Sequence, residues 1–340
     1  MLHPLLAGPI PAVAGRRPEH GDKAVQETNI TFSVVVTFFN QREFVDDAIK
    51  SILALERDDL DIVAVDDASS DGTVEALREY EGRVKLVLLG ENHGLSGARN
   101  AGAAEAAGDY VLFFDGDDAL LPWTFDVYET VARERRPTTM IGSYLWFEGE
   151  LLVPDDKPEM LEYIEYADYF RKDRSLGAWG GATALDTRAF RDVGGFDPAV
   201  PVCEDYDLMW RLGLSGPVVY ITSPPTILHR AHAGQVTQQG AKILPAIRQL
   251  VELEFAGRYP GSGMRALERR ACVGGCALYW ALLLRHGNGR LTARLLLRSL
   301  PLIAAAVVVR LRNRLRGRTP ARMLPLDSRR GAARAEAEKA

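Results

Sequence analysis

Cysteine is scarce in this chain. Three occur in 340 residues, at Cys203, Cys272 and Cys276. An odd, sparse count argues against a disulfide framework and fits a reducing compartment. Cys272 and Cys276 lie one helical turn apart, but no second Cys or His pair follows at zinc spacing, so they read as small core residues. No uninterrupted apolar run reaches about 18 residues, and a conventional membrane-spanning helix is not expected. The opening stretch MLHPLLAGPIPAVAG has three prolines and no basic residues ahead of its apolar part, unlike a cleaved signal peptide. No periodicity appears over residues 1–29, which read as a flexible tail. Internal repeats are absent, and low complexity is confined to the last dozen residues.

Acidic residues are nearly absent from one region. From Arg285 to Arg330 there are twelve Arg, no Lys and one acid (Asp327), a net of +11. The final ten residues are neutral and the whole chain carries −5, so the part up to Leu284 carries −16. An acidic body with a basic C-terminal segment suggests an anionic surface as that segment's partner. Aromatic residues are missing from LTARLLLRSLPLIAAAVVVRLRNRLRGRTPAR, which argues against nucleic acid as the partner. Its apolar centre, Leu300 to Val309, is short for spanning and suits a helix lying in a membrane surface. Packing on the catalytic body, or contact within a homo-oligomer, is the competing expectation for residues 290–318.

Ordered patterning starts at Phe32. FSVVVTFF, LDIVAV, VKLVLL and YVLFF are continuous apolar runs, as strands buried on both faces should be. Between them lie segments with helical spacing, including Phe44, Ala48, Ile49, Ile52 and Leu53. The Ala-rich third helix is expected to stop at Gly108 in a left-handed helix end. Strand–helix alternation of this kind predicts an α/β fold with a mostly parallel sheet flanked by helices. Ligands of such sheets bind outside the carboxyl ends of the strands. Beyond Leu121 a helix is expected to Arg136, a strand over Met140–Phe147, a helix from Glu204 and strands within PVVYITSPPTILHR. From about Leu244 the chain reads as a separate helical region. The expected division is a tail over 1–29, an α/β domain over 30–240 split near residue 118, helices over 241–318 and a flexible tail over 319–340.

Five acidic, basic or Gly-rich constellations sit in this frame. FFDGDD ends the fourth strand, and carboxylates two apart on a loop can face one hard cation such as Mg²⁺ or Mn²⁺. Gly116 within it lets backbone approach. VDDASSDGT ends the second strand; Asp66 or Asp67 can accept from a nucleobase or ribose, while Asp71 has a capping role. In ENHGLSGARNAG, Asn92 and Arg99 bracket a Gly-rich helix start, and Arg99 can orient an Asp or meet a phosphate. This is not a dinucleotide fingerprint, which would follow the first strand. VCEDYDLMWR supplies Glu204 and Asp205, either an acidic helix start or a general base. HRAHAGQVT supplies His229, Arg230 and His232, which can hold a diphosphate or complete a metal site.

In this order the set resembles the family 2 glycosyltransferases, inverting sugar transferases of the GT-A fold. The resemblance covers roughly residues 32 to 237. It implies transfer of a hexosyl-type sugar from a nucleotide-diphosphate sugar, usually a UDP-sugar, with Mn²⁺ or Mg²⁺. By position it implies donor contacts from Thr37, Phe39, Asn40, Glu43, Asp66, Asp67, Asn92, Gly94, Arg99, Asp115, Gly116 and Arg230. Metal ligands would be Asp115, Asp117 and His232, with Asp118 bordering them. Asp205 would be the base beside Glu204, and Trp179, Gly180 and Gly181 would meet the acceptor. One departure stands out: the family's first strand commonly ends Pro-Thr-Tyr-Asn, and here Thr37-Phe38-Phe39-Asn40 stands in its place.

The acceptor implied is a glycan, a lipid-linked sugar or another hydroxyl compound, and the setting polysaccharide or glycoconjugate biosynthesis. The expected location is cytoplasmic, with peripheral attachment to the inner membrane face left open. Two other readings compete. A nucleotidyltransferase would want a basic, Gly-rich phosphate loop after the first strand, and none is present. A non-catalytic nucleotide-sugar or glycan binder would not need Asp115, Asp117 and Asp205 together.

Overall fold

The structure, a computed structural model, describes residues 30–154, 157–173, 182–231, 240–286 and 288–326. Four strands form its parallel half: Phe32–Phe38 (β1), Leu60–Asp66 (β2), Lys85–Leu88 (β3) and Tyr110–Asp115 (β4). They lie side by side in the order β3-β2-β1-β4. The connecting helices are Val45–Leu53 (α1), Thr73–Arg78 (α2) and Gly94–Glu105 (α3). β1 is buried along its whole length because both its faces are covered. Val35 packs in one apolar layer with Val63, Phe113 and Ala98 of α3. Val34 and Val36 point into the opposite layer with Ala48 and Ile49 of α1.

Gly108 does not serve as a left-handed helix end. The third helix stops at Glu105, Ala106 is extended, and Gly108 is absent from the positive-φ glycines. Close approach is what requires it: a Cβ there would lie 2.6 Å from the carbonyl carbon of Phe32 and the nitrogen of Ser33.

The second half of the sheet is mixed. Ala119–Leu120 (β5), Thr139–Phe147 (β6), Met160–Tyr166 (β7), Thr183–Asp186 (β8) and Val218–Arg230 (β9) extend it. The order runs β7-β9-β6-β8-β4 into the parallel half, with β5 on β9. β8 joins antiparallel to β4, so the sheet changes direction beside the DGDD turn. Helices Thr124–Arg135 (α4), Thr187–Asp192 (α5) and Glu204–Arg211 (α6) flank this half.

Gly240–Phe255 (α7), Gly263–Leu283 (α8) and Gly289–Arg316 (α9) follow. They pack against the α/β part of the chain. Leu250 of α7, Val273 of α8 and Leu302 of α9 share one apolar cluster with Phe113 of β4 and Trp210 of α6. α9 is also longer than its apolar centre suggested, and by length and composition alone it could cross a membrane. A final correction concerns the expected tail from residue 319. Arg322–Pro325 (β10) pairs antiparallel with β7, Leu324 facing Leu161. Leu326 is buried and its N–H donates to the carbonyl of Glu159 at 2.8 Å. Arg322 meets Glu165 at 3.1 Å.

Candidate active site

Register brings the acids together. Phe38 of β1 pairs with Asp66 of β2, and Thr37 pairs with Asp115 of β4. The ends of β2 and β4 therefore flank the end of β1 on one rim. Gly116 turns the chain there, its N–H donating to Thr37 O at 3.1 Å. A Cβ on Gly116 would lie 2.4 Å from the Phe38 ring and 2.7 Å from Thr37 O, so any side chain there would force the turn or the ring to shift.

Asp115, Asp117 and Asp118 present carboxylate oxygens that all lie within 4.8 Å of one another. Their roles differ. Asp118 is buried, and both its oxygens lie 2.9 Å from His229 Nδ1 while Oδ1 also accepts from the Arg230 N–H at 3.0 Å. Burial pushes its carboxyl up to about 6, against the pull of His229. His229 in turn is raised: burial opposes its charged form, but the hydrogen bond and charge of Asp118 outweigh it. Asp115 and Asp117 are half-buried and closer to the open rim. An all-oxygen set of this kind fits a hard divalent cation, not a soft one.

Arg99 is the link between this rim and α6. Fully buried on α3, it donates from Nη2 to Asp115 Oδ1 at 2.5 Å and from Nη1 to Glu204 Oε1 at 2.9 Å. Of its two expected uses, orienting an Asp is the one seen. Glu204 and Asp205 open α6 directly after Cys203, whose left-handed backbone turns the chain into the helix. Asp205 accepts from the Tyr206 N–H at 2.8 Å. Burial, and then the charge of Glu204, raise its carboxyl to about 7. Glu204 is raised by burial too, with Arg99 opposing.

Other expected donor residues are placed as follows. Asp66 is buried; Oδ2 accepts from Ser69 N–H at 2.9 Å, and Oδ1 has no partner among the described residues. Buried Thr37 Oγ1 likewise has no partner among the described residues. A buried oxygen without a partner is costly and calls for an explanation such as a bound water, ion or ligand. Asp67 is instead committed internally: Oδ1 accepts from His93 N–H at 2.7 Å and its carbonyl from Asn92 Nδ2 at 3.1 Å. Asn92 also accepts from the Gly94 N–H at 3.2 Å, so these residues shape the start of α3. Asn40 sits in the left-handed region and accepts from Ser70 N–H at 2.9 Å. Phe39 and Glu43 are exposed beside it.

Arg230 lies at the acidic turn. Its guanidinium donates to Asp117 O at 2.9 Å, to Gly149 O at 3.1 Å and to Asp47 Oδ2 at 2.5 Å, between the rings of Phe44 and Phe147. Three of its five N–H groups thus tie the acidic turn to α1 and to the chain that follows β6. His232, Trp179, Gly180 and Gly181 lie outside the described residues.

Sequence reasoning missed two supports. Asp207, on α6, is fully buried and accepts from Arg211 at 2.7 Å, Arg258 at 2.8 Å and Tyr259 at 3.1 Å. The helical region thus fixes the helix that carries Asp205. Trp146 is 54% exposed on β6, with its ring centroid 4.5 Å from that of His229. Alternation along β6 was its only signal.

Over 137 residues the chain is 37% identical to a cholesterol galactosyltransferase of Borreliella burgdorferi, covering 39% of this chain and 37% of that protein. Over 94 residues it is 40% identical to a GalNAc(5)-diNAcBac-PP-undecaprenol beta-1,3-glucosyltransferase of Campylobacter jejuni, covering 26% of this chain and 30% of that one. The chain thus spans about a third of the length of these curated relatives. Among solved structures, S. aureus TarS 1–349 in complex with UDP-GlcNAc superposes with a TM-score of 0.59 at 15% identity, over 78% of this chain and 80% of that one. At that identity the likeness is one of fold, the GT-A arrangement. Residues 33–194 match the family model described as glycosyl transferase family 2, and the chain carries a family 2 glycosyltransferase domain.

Proposed function

We propose that this protein transfers a sugar from a nucleotide-diphosphate sugar to an acceptor hydroxyl by a single displacement with inversion. The observation that carries the reading is the buried bridge Asp115–Arg99–Glu204. It ties the acidic turn, suited to a diphosphate through a cation, to the helix start that presents Asp205. A binder of nucleotide-sugars has no use for a base held in that relation.

Asp115 and Asp117 would hold a divalent cation, Mn²⁺ or Mg²⁺. Such an ion supplies positive charge that stabilises a departing diphosphate. The chain's own residues do the rest. Unpartnered Asp66 Oδ1 and Thr37 Oγ1 offer acceptors or a donor to the nucleoside, and exposed Phe39 offers a face for its base. Asp205 accepts the acceptor hydroxyl's proton as that oxygen bonds to the anomeric carbon. The bond from that carbon to the phosphate oxygen breaks on the opposite face, and its electron pair leaves with the nucleoside diphosphate. A carboxyl whose affinity for a proton is raised to about 7 suits this task at neutral pH. Arg230 we assign to holding the Asp117 turn, not to the diphosphate.

UDP is the proposed nucleotide; the fold relative TarS was crystallised with UDP-GlcNAc. The acceptor is proposed to be a glycan or a lipid-linked sugar, the latter being what the Campylobacter relative's name describes. A panel of UDP-, GDP- and dTDP-sugars in a thermal-shift assay with Mn²⁺ tests the donor. One nucleotide should raise the melting temperature, and that donor should then release its nucleoside diphosphate slowly in water. No shift from any donor would overturn the proposal; a shift without release would favour the binder.

A further inference from the structure

The exposed face of α9 has an order that the acidic rim does not use. Leu297, Leu300, Ala304, Val308, Leu311 and Leu315 are all exposed, and they recur every three or four residues along the helix. Leu297 is 69% and Leu315 90% exposed. Such spacing places them in one stripe along the helix. The opposite stripe, Leu295, Ser299, Leu302, Ala306 and Val309, is buried against the rest of the protein. Arg290, Arg294, Arg310, Arg314 and Arg316 are exposed too, and helical geometry sets Arg294 and Arg316 on one flank of the apolar stripe and Arg310 and Arg314 on the other. No Asp or Glu occurs between Gly289 and Arg318.

We infer that α9 seats the protein on an anionic lipid bilayer, lying in its surface with this stripe turned inward. An apolar stripe flanked by arginines on both sides is what an interfacial helix needs: the apolar chains enter the acyl boundary while the guanidinium groups meet lipid phosphates. Charge opposes pairing of two such faces, which would bring arginine rows together with no acid on either helix to neutralise them. Two nearby acids are already used, Glu252 by Arg298 at 2.7 Å and Glu268 by Arg312 at 2.8 Å.

Spanning is disfavoured by packing. α8 lies against α9 so closely that a Cβ on Gly274 would sit 2.1 Å from Leu302 O. The two ion pairs staple α9 to α7 and α8 as well. A helix held in this way lies along the body of the protein and offers only its outer half to lipid.

Flotation of the full chain with lipid vesicles tests the inference. The protein should float with vesicles containing phosphatidylglycerol, stay behind with phosphatidylcholine alone, and be released by high salt. Two variants separate the contributions: Leu297→Ser with Leu300→Ser, Val308→Ser and Leu311→Ser, and Arg290→Gln with Arg294→Gln, Arg310→Gln and Arg314→Gln. Each set should weaken binding at least about tenfold, since each removes several favourable lipid contacts. Melting temperature and donor hydrolysis should stay at the parent values, because every changed residue is exposed and none belongs to the acidic rim. Equal, low binding to both vesicle types would overturn the inference. So would binding that ignores the arginine changes, or a dimer by light scattering that the leucine changes dissociate while vesicles go unbound.

Discussion

Arg99 and Glu204 are 105 positions apart in sequence and joined by a 2.9 Å hydrogen bond in the interior. The same guanidinium reaches Asp115. Replacing Arg99 with Ala would leave buried Glu204 and half-buried Asp115 without their shared cation, a loss of about 3 kcal/mol, the low end for broken buried pairs because solvent reaches Asp115. The variant should melt well below the parent and lose turnover. Arg99→Lys offers a point charge in place of a fork and should recover only part of both. Thermal melts and donor hydrolysis, measured together, check this; an Arg99→Ala protein that melts like the parent would remove the bridge from the argument.

Asp205 gives a pH signature. Its carboxyl is raised from the ordinary 3.8 to about 7. Turnover should therefore rise with pH up to about 7 and level off above, as the base sheds its proton. Stability should move the other way. Between those two values the folded chain holds a proton that the unfolded chain has lost, so stability falls as pH rises through the window. Asp205→Asn should abolish transfer, keep donor affinity by calorimetry, and flatten that part of the stability profile. Normal transfer by the Asn variant would place the base elsewhere.

The acidic turn predicts dependence on a divalent ion. Chelation should stop turnover, and Mn²⁺ or Mg²⁺ should restore it. Asp117→Asn should weaken that restoration by more than about tenfold in ion concentration, because a charged oxygen ligand is replaced by a neutral one. Full activity in the presence of chelator would refute the role given to Asp115 and Asp117.

The parallel half was legible because strands buried on both faces read as unbroken apolar runs. β1, β2, β3 and β4 fall where those runs stand. β7 and β10 were not legible: MLEYIEY mixes acids with aromatics, and RMLP is four residues that pair only once the chain has returned to β7. Acid types in the site could be read from FFDGDD and CED, since their crowding needs a reason. Their partners could not. Nothing local to Arg230 points to Asp47, 183 positions away, and nothing local to Asp118 points to His229. Each of these contacts is set by which strands become neighbours, which residue types in order do not state. The same limit explains Gly108: its glycine follows from the nearness of Phe32 in another strand, not from its own helix end.

Gly116→Ala tests how tightly the turn is built. The added methyl would lie 2.4 Å from the Phe38 ring and 2.7 Å from Thr37 O. Aromatic rings can shift by small amounts, but a strand carbonyl held in the ladder cannot, so the turn itself must move. Overpacking of this kind costs about 1–3 kcal/mol. Asp115 and Asp117 sit on either side of the moved residue, so the requirement for divalent ion should rise along with the loss of stability. Trimming the ring with Phe38→Leu should not rescue Gly116→Ala, because the carbonyl contact remains. A double variant with parental activity would show instead that the ring alone demands glycine, and that the turn tolerates a side chain.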